Sequence, residues 1–260
     1  MKLKVKIILF LSIFITISFF IIVDPIPQPD SYNNFYDKRE IFRIKNFYNI
    51  ISNIPFLVVG AVGIVLYVRK KLVHDNPSYT PVYAIMFGGV ILIGIGSMYF
   101  HALPNNQRLL WDRLPMAIVF MSLTAGLLCE HTRRQWQGRL LYPSLAVGVA
   151  SVLYWYLTEL QGRGDLRAYL LVQFLPLLLI PSVMLVFPSR FSRQGDVWWA
   201  LVCYVLAKCA ELNDRALFLW TGAVSGHTLK HLLAAVALLL LLRMLYRRKA
   251  LSDSGGLSQE

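Results

Sequence analysis

The stretch Gly94-Ile-Gly-Ser-Met-Tyr-Phe-His-Ala-Leu-Pro-Asn-Asn-Gln-Arg-Leu-Leu-Trp-Asp-Arg-Leu-Pro-Met116 joins two apolar runs and gathers Ser97, His101 and Asp112 around a turn. Ser97 and His101 are four residues apart, so a helix through them puts both on one face, about one turn apart. Pro104, Asn105 and Asn106 are turn formers, and Asp112 stands beyond them where the next apolar run begins. The chain doubles back here, and its polar groups collect at the end of a helical hairpin. A second group, Ser225-Gly-His-Thr-Leu-Lys-His231, opens the last apolar run with His227 and His231 again four apart. Three imidazoles, a carboxylate and a hydroxyl at segment ends make up the inventory of a metal-dependent hydrolase.

Away from this hairpin, 57% of the 260 residues are hydrophobic and the mean hydropathy is +0.55, outside the range of soluble domains. The expected fold is an all-α membrane protein, a seven-transmembrane-helix bundle with an additional N-terminal signal-anchor helix. Lys2, Lys4 and Lys6 precede the apolar run Ile7 to Val23, which lacks a small-x-small cleavage pattern and so reads as an uncleaved anchor. Residues 24–48 are polar, with Pro25, Pro27 and Pro29 opposing a helix, and form the longest loop. Seven more runs of about 20 residues, the length a bilayer needs, cover approximately 49–68, 82–100, 114–129, 140–157, 168–187, 197–212 and 228–246. Residues 1–23 are then the anchor, 24–48 an extracytoplasmic loop, 49–246 the seven-helix domain and 247–260 a cytoplasmic tail expected to be disordered.

The formal net charge of +12 would suggest nucleic acid in a soluble protein. Here Lys and Arg sit in short clusters between apolar runs, as membrane-orienting charge does, so no nucleic-acid partner is expected. Placing the N-terminus in the cytoplasm collects Arg69 to Lys71, Arg133, Arg134, Arg139, Arg190, Arg193 and Arg243 to Lys249 on the inner side. Both termini are then cytoplasmic, and His101, Asp112, His227 and His231 all fall at the outer leaflet. Cys129, Cys203 and Cys209 form no CxxC pair and read as small core residues.

Each candidate has a structural alternative. His101 alone could be hydrogen-bonded to a neighbouring helix; with the His227/His231 pair at the same depth, three neutral nitrogens and an open fourth position suit a catalytic zinc. Asp112 is either a helix-start acid or an ion-pair partner of Arg108 or Arg113, or else the base and proton donor beside an activated water. Ser97 is a packing residue or an oxyanion donor. Lys208, Glu211, Asp214 and Arg215 crowd the end of the run from Val197 and read as a structural ion-pair cluster. Lys230 is expected to face away from the two histidines. His74 and His131 are expected as surface residues in cytoplasmic loops, and Glu159 as a loop-edge residue without a partner. No GxSxG elbow marks a serine nucleophile.

Taken together, SxxxH at Ser97 to His101, WDRLPM at Trp111 to Met116 and SGHTLKH at Ser225 to His231 resemble the alkaline ceramidase family, within the CREST group of seven-span membrane hydrolases. Asn46-Phe-Tyr-Asn-Ile-Ile-Ser-Asn53 also resembles that family's opening motif, and the likeness covers roughly residues 37–246. The resemblance implies a zinc ion held by His101, His227 and His231, with Asp112 and Ser97 near the activated water, cleaving the amide of ceramide or another N-acyl membrane lipid in sphingolipid metabolism. Eukaryotic members also carry calcium on acidic residues before the first core span. Asn46 stands where a Glu would be expected, and Asp37 and Glu40 do not align with that site, which leaves calcium open beside zinc. A bacterial inner membrane is the expected location. The same zinc site would also serve an ester hydrolase or an adiponectin-receptor-like protein, though the chain offers no sizeable cytoplasmic domain for signalling. A transporter would need polar residues through the whole depth of several spans, whereas these cluster at one leaflet.

Overall fold

The computed structural model describes residues 2–73, 80–132 and 137–251. Among them the chain forms α1 (Lys2–Ile22), α2 (Phe47–Ile51), α3 (Ile54–Val68), α4 (Thr80–Ala102), α5 (Asn106–His131), α6 (Gln137–Leu160), α7 (Arg167–Val186), α8 (Gly195–Leu212), α9 (Asp214–Thr221) and α10 (Gly226–Arg247). Seven segments are long and apolar enough to cross a membrane: α1, α2 continued by α3, α4, α5, α6, α7 and α10. This is an integral membrane protein built as a helical bundle.

The hairpin read from the sequence is α4 and α5, packed antiparallel. Its turn is set by Asn105, whose side chain accepts a hydrogen bond from the Arg108 amide at 2.9 Å and so caps α5. The helix thus begins at Asn106, eight residues before the expected Leu114, and Asp112 lies a turn and a half inside it. The two helices touch closely at Gly96, where any Cβ would collide with the Trp111 carbonyl.

The eighth long helix, α8, was expected as a crossing and packs along α10. Its 18 residues include Asp196, Lys208 and Glu211, which keep it out of the apolar set. Each of these charges has a partner: Asp196 pairs with Arg193 at 2.9 Å and Arg243 at 2.6 Å, and Glu211 pairs with two lysines. At roughly 27 Å, its length is close to that of the hydrocarbon core.

Helix α1, expected as an anchor, stands apart, with none of its apolar window buried and α7 as its main neighbour. Arg167 ties the end of α1 down by donating to the Val23 carbonyl at 2.7 Å. Asp165, in the loop before α7, receives the Arg167 guanidinium and the Tyr154 hydroxyl. Burial alone would raise its carboxyl, but these hydrogen bonds prevail and hold it at about 2.

At the opposite end of the bundle from the α4–α5 turn, Arg248 is fully buried and forms a bidentate pair with Glu130, at 2.9 and 2.7 Å. Tyr83 also hydrogen-bonds Glu130, and the Arg248 Nε donates to the Val73 carbonyl at 2.7 Å. Arg248 is therefore a clamp joining α4, α5 and α10 rather than a free orienting charge. Residues 249–251 continue the fold, with Leu251 donating to the Arg190 carbonyl at 2.8 Å; the rest of the expected tail lies outside the described residues, as does His74.

Candidate metal centre

His101 sits in the last turn of α4, and His227 and His231 in the first two turns of α10. The start of α10 is fixed by Ser225, whose hydroxyl accepts from the Thr228 amide at 3.1 Å, and by Asp214, whose carboxylate accepts from the His227 amide at 2.8 Å. Gly226 is required there, because a Cβ would run into the Ala210 carbonyl and Asp214 backbone. The helix start is thereby wedged against α8 and α9, which aims both imidazoles inward.

The three rings converge. His101 Nε2 lies 3.3 Å from His231 Nε2 and 3.3 Å from His227 Nε2, and all three residues are at most 4% exposed. Among the described residues they form the group able to offer three ligand atoms to one ion. Two nitrogens bound tetrahedrally at the usual zinc distance would stand roughly 3.3 Å apart. The spacing and the all-imidazole donor set therefore both fit such an ion.

Residues that the sequence reading left without a role hold these rings. The span expected over 49–68 runs as Phe47–Val68, with a turn at Ser52 and Asn53 between α2 and α3 where both residues keep right-handed helical backbone angles. From this turn both side chains reach the site. Ser52 Oγ is 2.8 Å and Asn53 Nδ2 3.3 Å from His231 Nδ1. Asn49 accepts from the Thr228 hydroxyl at 2.9 Å, and Asn46 donates to the His101 carbonyl at 3.0 Å. The polar spacing of Asn46, Asn49, Ser52 and Asn53 within an apolar run was the available signal.

The long loop is a cover. Phe35 places its ring 4.5 Å from those of both His101 and His227, and Tyr32 stacks on Phe100. The cover is pinned by Leu166 donating to the Ile26 carbonyl at 2.8 Å and by the Gln28 amide donating to Glu159 at 2.6 Å. Glu159 therefore does have a partner, contrary to its sequence reading. Asp37, one of the acids ahead of the first core span, is engaged on both carboxylate oxygens by Arg39, at 2.8 and 2.6 Å.

Ser97 and Asp112 are buried and line one apolar cavity with His231 and Lys230. Neither structural alternative for Asp112 holds. It is not in the first turn of α5, Arg108 lies against Tyr99, and Arg113 turns to Gln28. Lys230 does not face away: its ammonium is 2.6 Å from Glu211 and 3.4 Å from His227 Nε2. Three residues along a helix is nearly one turn, so Lys230 shares the face of His227. The expected four-residue ion cluster is divided. Lys208 and Lys230 flank Glu211, whereas Asp214 accepts backbone amides and Arg215 lies over Tyr36. His131 is buried and donates to the Phe187 carbonyl at 3.2 Å, so it is no surface residue. The cysteines are all free, with Cys129 buried, Cys203 half-buried and Cys209 exposed rather than in the core.

The cavity runs inward from Asp112 along Met116, Phe120, Leu123 and Leu127 of α5 and faces Leu238 and Leu241 of α10. From Asp112 to Leu127 the helix rises roughly 22 Å. Fold and site together define a helical membrane protein with a buried three-histidine centre at the mouth of an apolar slot. The chain belongs to the ceramidase family: the family model Ceramidase matches residues 41–220. Membership makes it a ceramidase-type hydrolase, an enzyme acting on an amide, with a lipid as its substrate. The matched stretch contains Ser97, His101 and Asp112 and ends before α10, so the convergence of His227 and His231 on His101 is a finding of the structure. No curated protein matches the chain.

Proposed function

We propose that the chain is a zinc-dependent amidohydrolase of the ceramidase type, cleaving ceramide or another N-acyl lipid at the three-histidine centre. The observation that carries this reading is His101 Nε2 standing 3.3 Å from the Nε2 of both His227 and His231, with His231 lining the apolar slot. His101, His227 and His231 would hold the ion, which supplies Lewis acidity and a water acidic enough to react near neutral pH. Asp112 takes the proton of the attacking water and returns it to the amine nitrogen of the leaving group. Ser97, on the same cavity wall, donates to the carbonyl oxygen as charge develops there. The slot between α5 and α10 receives the acyl chain, and Phe35 and Tyr32 keep bulk water from the rings.

In the membrane, the charge bias favours cytoplasmic termini and a centre at the outer leaflet, and that membrane would be a bacterial inner membrane. Residues 1–23 then anchor, and residues 49–246 form the catalytic bundle. The deciding experiment measures metal in purified protein and assays N-acyl and ester lipids with and without chelator. Chelator-sensitive amide cleavage with one zinc per chain is expected. Metal-free protein with full activity would overturn the mechanism, and cleavage of esters alone would overturn the substrate class.

A further inference from the structure

Beside the metal centre lies a second cavity of about 160 Å³, bordered by Gln28, Arg113, Tyr169, Lys208 and Lys230. It shares Asp112, Met116, Gln173, Lys208 and Lys230 with the apolar slot, so the two meet at the reacting carboxylate. Its notable group is Arg113, only 5% exposed. The guanidinium is clamped over Trp155 at 4.2 Å and Tyr169 at 4.9 Å, and one nitrogen donates to Gln28 at 2.5 Å. Among the described residues its Nη1 has no hydrogen-bond partner and no carboxylate forms an ion pair with the guanidinium. An arginine cannot shed its proton, and a buried unpaired charge is costly.

The two lysines add to this excess. Lys208 and Lys230 share a single carboxylate, Glu211, at 2.7 and 2.6 Å. Each ammonium has three donors, so both retain capacity toward the cavity. Among the described residues Asp112 is the one carboxylate on the cavity wall, so three cations stand against two acids, Asp112 and Glu211. A bound anion would complete this set, its oxygens taking the spare ammonium protons and offsetting the Arg113 charge at the cavity wall.

We infer that this cavity is a headgroup subsite for an anionic N-acyl lipid, one bearing a phosphate, sulfonate or carboxylate on the amine side of the scissile amide. Resting on the hydrolytic reading above, the acyl chain occupies the slot between α5 and α10, the amide lies at the shared residues, and the acidic headgroup meets Arg113, Lys208 and Lys230. The amine product then carries the anion, and the other product is a fatty acid.

The test uses the purified full-length protein in a neutral detergent. N-palmitoyl sphingosine and the same lipid phosphorylated on its headgroup are compared as substrates. Binding of dodecyl phosphate, dodecanol and inorganic phosphate is followed by tryptophan fluorescence, since Trp155 stacks on Arg113. The phosphorylated lipid is expected to show kcat/KM at least about tenfold higher, and dodecyl phosphate to bind about tenfold more tightly than dodecanol or inorganic phosphate. Arg113→Gln collapses both ratios, and Arg113→Lys restores part of each. A neutral lipid cleaved equally well or better overturns the inference while leaving the hydrolytic reading intact. Inorganic phosphate binding as tightly as dodecyl phosphate also overturns it, by making the cavity a site for free anions. Neither lipid cleaved, with tight Arg113-dependent binding of dodecyl phosphate, sinks the hydrolytic reading and upholds the subsite. If Arg113→Gln does not fold, the wild-type ratios decide.

Discussion

The Ser52 hydroxyl stands 2.8 Å from Nδ1 of His231, reaching it from the turn between α2 and α3. With an ion held on Nε2, Nδ1 would carry the proton and donate it to Ser52, whose own hydroxyl donates to the Asn49 carbonyl. That bond would set both the tautomer and the ring plane. Ser52→Ala is expected to weaken metal binding by about 10–100-fold, the usual cost of losing a partner behind a ligand. Competition against a chelating dye measures this, and a variant that holds metal as tightly as wild type would detach Ser52 from the centre.

Removing a ring has a larger consequence. His231→Ala leaves two imidazoles on two helices, too few for a stable zinc site. The variant is expected to purify without metal and without hydrolytic activity, whereas His74→Ala, outside the trio, retains both. Elemental analysis alongside a lipid assay distinguishes them, and equal effects from the two substitutions would overturn the ligand assignment.

What the sequence made legible follows from helix periodicity. His227 and His231 share a face because they are four apart, and the turn at Pro104 to Asn106 returns the chain past His101. Such local rules also located Ser97 and Asp112. They could not locate Phe35, because a loop with Pro25, Pro27 and Pro29 has no period and is placed by distant anchors such as Glu159 and Leu166. They misplaced Lys230 because adjacency to His231 was weighed above its three-residue spacing from His227. A span ending at 129 puts His131 in a surface loop, whereas α5 runs on to His131 and the chain returns at Phe187 to bury it. The contacts of Ser52 and Asn53 with His231 were marked in the sequence only by the polar spacing of Asn46, Asn49, Ser52 and Asn53 in an apolar run, which periodicity does not assign to a ring on α10.

Asp112 is separable from metal binding. It stands on α5, a helix that supplies none of the three imidazoles, and lines the cavity with Ser97. Asp112→Asn keeps the shape and removes the proton acceptor. Metal content is expected to stay at the wild-type level while kcat falls by about 10²–10⁴-fold, the span of general acid–base catalysis. A variant that turns over at the wild-type rate would move proton handling to another group.

Phe35 shields the rings from above, at 4.5 Å from two of them. Phe35→Ala opens that cover without touching a ligand atom. Chelator is expected to strip the metal about tenfold faster, since the apolar shell controls access of water to the centre. Stopped-flow release measured against wild type tests this, and unchanged release would assign the shielding to Tyr32 and Phe100 instead.

The Glu130–Arg248 pair lies roughly 25 Å from the histidines along α10, so it bears on stability rather than chemistry. Both groups are nearly inaccessible, and the guanidinium also serves Tyr83 and the Val73 carbonyl. Glu130→Gln leaves a buried cation without its counter-ion, which costs about 3–5 kcal/mol. Replacing both partners with methionine removes the charges together and is expected to recover most of that loss. Thermal unfolding in detergent should therefore rank Glu130→Gln below the double variant, and metal content in the folded fraction of each should match wild type. The reverse order would mean that the hydrogen bonds from Arg248 to Val73 and Tyr83, rather than charge pairing, hold α10 to its neighbours.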